Sequence, residues 1–154
     1  MISQTSEYAL RSIVFLAEHP NCLKTIPEIA GATKVPASYL SKVMQSLVKA
    51  GLLTSQRGLH GGFSLARSVD NLTIYDVVQA VDPIQRITAC PLGLPAHELE
   101  LCALHRQLDD AARLIEESFR QTTLASLLRK PIFAESSNED KESSPGEEGN
   151  NHAQ

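Results

Sequence analysis

Pro36-Ala37-Ser38-Tyr39-Leu40-Ser41-Lys42-Val43-Met44-Gln45-Ser46-Leu47-Val48-Lys49-Ala50-Gly51, followed at once by Leu52-Leu53-Thr54-Ser55-Gln56-Arg57-Gly58-Leu59-His60-Gly61-Gly62-Phe63-Ser64-Leu65-Ala66-Arg67, is the stretch on which the fold turns. In its first half Leu40, Val43, Met44, Leu47 and Val48 recur at the three-and-four spacing of one buried helical face. The opposite side carries Ser38, Ser41, Lys42, Gln45 and Lys49, which are small, polar or basic. Pro36 opens this helix and Gly51 stops it. The second half reads as two short strands, residues 52–56 and 63–67, around a glycine-rich turn.

Upstream, residues 6–18 form a helix whose buried face is Ala9, Leu10, Ile13, Val14 and Ala17, ending before Pro20. A short helix begins near Thr25, with Pro27 in its first turn. Downstream, Thr73 and Asp76 make a capping-box start for a helix through Val81. Residues 82–100 are broken by Pro83, Pro91, Gly93 and Pro95. A long helix then carries Leu101, Leu104, Leu108, Ala111, Ile115 and Phe119, and a last short helix follows Thr123.

Three short helices followed by a hairpin with a basic residue at each edge is the plan of a winged helix-turn-helix. A helix enters the major groove of DNA when one face packs on its own domain and the other reaches base edges and phosphates. The third helix has both faces. A wing brings backbone near the sugar-phosphate rail, which Gly58, Gly61 and Gly62 suit, and needs cations there, which Arg57, Arg67 and His60 offer. Taken alone the helix is an ordinary amphipathic one and the Gly-Gly turn says little; their order carries the reading.

The net charge of -4 conceals an uneven distribution. Residues 1–67 hold seven Lys/Arg against three acids, residues 68–134 six against nine, and residues 135–154 one against six. The basic half is the half that would meet phosphate. Residues 134–154, rich in Ser, Glu, Asn and Gly without apolar periodicity, read as a disordered acidic tail. At 154 residues and 42% hydrophobic content, the rest suits one compact domain with a helical arm. No apolar run of bilayer length and no secretion signal occurs, so the expectation is a cytoplasmic protein with no membrane association.

Three cysteines without an export signal argue against a disulfide framework. Cys90 and Cys102 flank the broken segment, and His105 follows Cys102 by three residues, one helical face if all are helical. Thiolates and an imidazole suit an iron–sulfur cluster, yet on spacing alone buried or free thiols are the simpler reading. An enzyme with Cys102 as nucleophile and His105 as base lacks an oxyanion turn and a third orienting group, so the chain is not read as an enzyme. A non-DNA adaptor using the long helix and tail is the remaining different class.

Glu7-Tyr8-Ala9-Leu10-Arg11, Ser38-Tyr39-Leu40, Leu47-x-x-Ala50-Gly51-Leu52-Leu53 and, above all, Arg57-Gly-x-x-Gly-Gly-Phe-x-Leu-Ala-Arg67 resemble the IscR/NsrR superfamily of "Rrf-two" type regulators, from Met1 to about Lys130. The resemblance implies a mainly α homodimer: residues 1–81 a winged helix-turn-helix with a two-stranded wing, 82–101 a sensor loop, 102–133 dimerisation helices, 134–154 the tail. It implies double-stranded DNA with a pseudo-palindromic operator as partner. Ser38, Tyr39, Ser41, Lys42 and Gln45 match recognition positions, and Arg57, Gly58, His60, Gly61, Gly62 and Arg67 the wing. Members often carry an acid where Ser41 stands. The resemblance further implies a two-iron two-sulfur (2Fe-2S) cluster on Cys90, Cys102, His105 and Glu7 across the dimer, with His97 in reserve near the family's missing middle cysteine and Cys22 matching no ligand. The competing expectation is a clusterless regulator in which Cys90 and Cys102 form a reversible disulfide or are structural. A leucine seam on the long helix would pair two copies antiparallel, part of it also serving the chain's own core.

Overall fold

The computed structural model describes residues 2–93, 100–130, 132 and 133. Their order is α1 (Gln4–Glu18), α2 (Ile26–Thr33), α3 (Ala37–Lys49), β1 (Leu53–Gln56), β2 (Gly62–Leu65), a single 3-10 turn (Val69–Asn71), α4 (Ile74–Val81), α5 (Ala103–Gln121) and α6 (Leu124–Leu127). Helices with one hairpin make this the mainly α winged helix-turn-helix that the sequence predicts. The acidic tail and His97 lie outside the described residues. Among the described residues no helix is long and apolar enough to cross a membrane.

The core forms where the apolar stripes of α1, α2, α3 and α4 meet: Ala9, Ile13, Ile29, Leu40, Met44, Leu47, Leu72 and Val77 are all fully buried. Local chemistry sets each boundary. Ser3 caps α1, which starts at Gln4 rather than at residue 6, its hydroxyl accepting the Ser6 N–H at 3.2 Å. Thr25 and Glu28 close a capping box at α2, with Glu28 accepting the Thr25 N–H at 2.7 Å. Lys34, left-handed at φ 58°, turns the chain from α2 into α3. Arg11 of α1 donates to the Thr33 carbonyl at 3.2 Å and so fastens the end of α2. Gly51, at φ 70°, ends α3 in a Schellman motif: Leu52 N–H donates to Leu47 at 3.0 Å and Gly51 N–H to Val48 at 2.9 Å.

The hairpin pairs Leu53 with Leu65 and Gln56 with Gly62, so the second strand ends at Leu65 and Arg67 stands beyond it. A third edge, not foreseen, is Lys24, which exchanges two backbone hydrogen bonds with Phe63 at 2.9 and 3.0 Å. The chain's own geometry also requires two of the wing glycines. A Cβ on Gly61 would stand 2.3 Å from the Gln56 carbonyl oxygen, and one on Gly62 would stand 2.8 Å from that of Lys24. Their smallness serves the chain's own close approaches, and Gly62 is buried.

The long helix departs from expectation twice. Cys102, extended at φ -62° and ψ 162°, is the N-cap of α5, so Leu101 precedes the helix and leaves the seam. None of the helix is fully buried, so the seam contributes nothing to a closed intramolecular core. Leu104, Leu108, Ala111, Leu114 and Ile115 are exposed. The chain holds α5 mainly at its C-terminal end, where Ile74 N–H donates to Thr122 at 3.0 Å, Leu124 N–H to Leu72 at 2.8 Å, and Leu124 is buried.

These close approaches predict opposite outcomes for two glycines. Gly61→Ala is expected to lower unfolding stability by about 1 to 3 kcal/mol, because backbone must shift. Gly31→Ala in α2, where nothing lies within 4 Å of the added methyl group, is expected to raise it by about 0.5 to 1 kcal/mol. Urea unfolding at a fixed protein concentration reads both.

Candidate functional site

Two sets of residues carry chemistry. On α3, Ser38, Tyr39, Lys42 and Gln45 are exposed while Leu40, Val43, Met44 and Leu47 are buried, the division that a groove-reading helix requires. Ser41 is half-buried and returns its hydroxyl to the Ala37 carbonyl at 3.1 Å. Tyr39 also ties α3 to α1, its ring meeting Tyr8 edge-on at 5.5 Å and its hydroxyl bonding Thr5. On the wing Arg57, Gly58, Leu59, His60 and Arg67 are exposed, and Leu59 at its tip is 95% so.

The second set is Cys90, Cys102 and His105, whose ligand atoms lie within 4.8 Å of one another, each residue partly buried. His105 Nδ1 stands 3.1 Å from the Cys102 sulfur and 3.6 Å from that of Cys90. The Cys102 and His105 pair does not meet as two turns of a helical face. They meet as N-cap and third helical residue, the spacing at which a capping side chain faces the first-turn amides. Those amides, that of His105 foremost, hold the Cys102 thiol below its ordinary range, opposed by partial burial and helped by Cys90. A thiol so placed ionises more readily than an ordinary one, the direction that soft-metal binding or nucleophilic exchange favours.

Glu7 is not part of this cluster within one chain. It forms an ion pair with Arg11 on the next turn of α1. Cys22 is exposed and also apart from it.

The sequence reading missed what holds the broken segment. Arg86 lies bidentate on Asp109 of α5 at 2.7 and 2.6 Å, and Asp109 also accepts the Ile87 N–H at 2.8 Å. Glu116 reaches Arg86 at 3.5 Å and Arg120 at 2.7 Å, and the Arg120 guanidinium lies 3.4 Å from the centre of the Tyr75 ring in α4. The available signal was Asp109 and Glu116 seven residues apart, two turns along one helical face, with Arg120 one turn on. The Arg86 guanidinium and the Ile87 N–H hold the Asp109 carboxyl at about 2.

The family model described as "Iron-dependent Transcriptional regulator", Rrf2, matches residues 2–130. The chain belongs to this family. A protein of Aquifex aeolicus named for an HTH-type transcriptional regulator is 33% identical over 132 residues, 83% of this chain and 91% of that one. Protein rrf2 of Nitratidesulfovibrio vulgaris is 28% identical, over 83% of this chain and 87% of its own. Among solved structures, the global cysteine regulator CymR of B. subtilis superposes with TM-score 0.67 at 25% identity, covering 82% of this chain and 95% of CymR. T. potens IscR gives TM-score 0.67 at 23% identity, covering 83% and 85%, and supports the fold. This chain is therefore an Rrf2-family, DNA-binding transcriptional regulator with a winged-helix fold.

Because the folded carboxyl of Asp109 sits below its unfolded value of about 4, its contribution to stability is fully present above that value. It is lost as pH falls from there towards 2. A carbon-detected NMR titration is expected to place the Asp109 midpoint near 2. Asp109→Asn is expected to flatten that acid limb of the stability profile.

Proposed function

We propose that the chain works as a homodimer whose affinity for a pseudo-palindromic operator is set by the state of the Cys90, Cys102 and His105 centre, with a two-iron two-sulfur cluster as its occupant. The convergence of those three donors within 4.8 Å carries the reading. Two thiols and an imidazole are a fitting donor set for such a cluster, which takes thiolates and accepts histidine at one iron. The lowered Cys102 thiol favours the thiolate that a metal requires. When bound, the cluster supplies a redox- and nitric-oxide-sensitive group. Three donors leave one ligand position to fill: Glu7 of the partner subunit is the first candidate, and His97 the second.

The remaining steps belong to the chain. Cys102 and His105 stand at the start of α5, and Cys90 ends the segment that Arg86 fastens to the same helix. α5 packs on α4, and α4 packs on α1 and α3. A shift of α5 against α4 therefore reaches the recognition helix through packed contacts, provided the two states of the centre favour different arrangements. Leu104, Leu108 and Ile115, exposed in the single chain, offer the apolar face through which two copies would pair. On DNA, Arg57, Lys42 and Arg67 would meet phosphates, and Ser38 and Gln45 base edges.

The second reading, a thiol switch without metal, is favoured by the proximity of the Cys90 and Cys102 sulfurs and by similarity to a cysteine regulator. Anaerobic purification with iron and sulfide counts separates the two. Wild type is expected to be coloured and to carry iron, and Cys102→Ser to lose both while remaining folded, since serine is a harder and far less acidic donor. A colourless, iron-free wild type would leave the thiol switch. Independently, Arg57→Ala is expected to weaken selected operator and random duplex alike, lowering the slope of log affinity against log salt by about one. Fluorescence anisotropy across a salt series measures it.

A further inference from the structure

Residues 82–90 run from the end of α4 to the Cys90 sulfur with no helix or strand of their own. Regular backbone hydrogen bonding therefore does not determine where Cys90 sits. Arg86 supplies a fixed point. Its Nε and Nη2 donate to the two Asp109 oxygens, and Asp109 Oδ1 takes the Ile87 N–H as well, so one carboxylate holds both a side chain and the backbone beside it. Asp109 stands one helical turn after His105, while Arg86 and Ile87 precede Cys90 by four and three residues. The clamp thus brings the backbone leading to one sulfur into register with the helix that bears the imidazole and the other sulfur.

The clamp is partly shielded. The Asp109 and Glu116 side chains are 16% and 17% exposed, against 78% for Glu100 in the outer pair with Arg106. The Arg86 side chain is 35% exposed, so it is the forked geometry on a half-buried carboxylate that constrains the pair more than a pair open on both sides. Glu116 extends it to Arg120, and Arg120 to Tyr75, so the same contacts tie the segment to α4.

We propose that Arg86 is a positioning residue: by clamping residues 86 and 87 onto Asp109 it holds Cys90 against Cys102 and His105 and fixes that centre relative to α4. The proposal rests on Cys90, Cys102 and His105 forming one centre, and it requires no metal. If Arg86 served stability alone, folded variants would keep the two thiols as close as before. As a positioning residue, its loss separates them in an intact fold.

The test uses the full chain with Cys22→Ser, because Cys22 is exposed and would scramble the result. Diamide oxidises Cys90 and Cys102 to a disulfide, the two thiols giving two electrons and two protons to its azo bond, and peptide mass spectrometry follows the rate. Arg86→Gln and Asp109→Asn are expected to slow disulfide formation by about tenfold or more, as the effective concentration of one thiol at the other falls. Arg86→Lys, which keeps the charge without the fork, is expected to fall between. Circular dichroism is expected to show the wild-type helix content throughout. In parallel, anaerobic cobalt(II) titration is expected to show weaker sulfur-to-cobalt absorption in Arg86→Gln. An unchanged disulfide rate in folded Arg86→Gln overturns the proposal whether or not metal binds; if that variant fails to fold, an unchanged rate in Asp109→Asn does so. Wild type that takes up neither cobalt nor iron, with the variants still slowed, sustains the proposal and removes the cluster reading.

Discussion

How α5 is held decides where the Cys90, Cys102 and His105 centre sits and which apolar face the chain leaves open. Just past its C-terminal end the chain is anchored in the core by Leu124 of α6 and by the backbone bonds between Ile74 and Thr122 and between Leu72 and Leu124. Its flank meets α4 through Glu116, Arg120 and Tyr75. Its leucines face outward: Leu104, Leu108 and Leu114 are half exposed or more. A helix of 19 residues with no fully buried side chain leaves its leucine face uncovered in the single chain, and helical stability in proteins comes mainly from packing an apolar face. A second copy would give that face a partner, which is why the dimer and the sensor are parts of one proposal.

Cys102 links local structure to chemistry. As N-cap it sets where α5 begins, and the amides that any helix leaves unpaired at that end favour its thiolate. The helix start thus places His105 and primes the sulfur beside it, while Arg86 brings in Cys90 from the other side. Three donors assemble from two stretches of chain through three ordinary devices: a cap, a helix turn and a forked ion pair.

Much of the fold was legible because it is written locally. The apolar spacing in α3, Gly51 at its end, the Thr73 and Asp76 capping box and the Gly-Gly turn each act within a few residues, and each appears where expected. The start of α5 was not legible, because Leu101 fits the apolar period and only the extended backbone of Cys102 excludes it. Lys24 beside Phe63 was missed because a single bridging residue leaves no periodic trace. The Arg86 clamp was missed for a related reason: its partners are 23 and 30 positions away in sequence, and a charged residue in a broken segment reads first as solvated. Cys90, Cys102 and His105 were legible as candidates, and their meeting became visible only in three dimensions.

Sedimentation of the full chain across micromolar concentrations is the most direct test, because paired reading heads require two copies, as does a fourth ligand drawn from Glu7 of the partner subunit. A species of twice the 16.8 kDa chain mass is expected, and its dissociation when Leu104 and Leu108 are both replaced by Glu. A chain that sediments as a monomer at every concentration, with or without DNA, would contradict the homodimer.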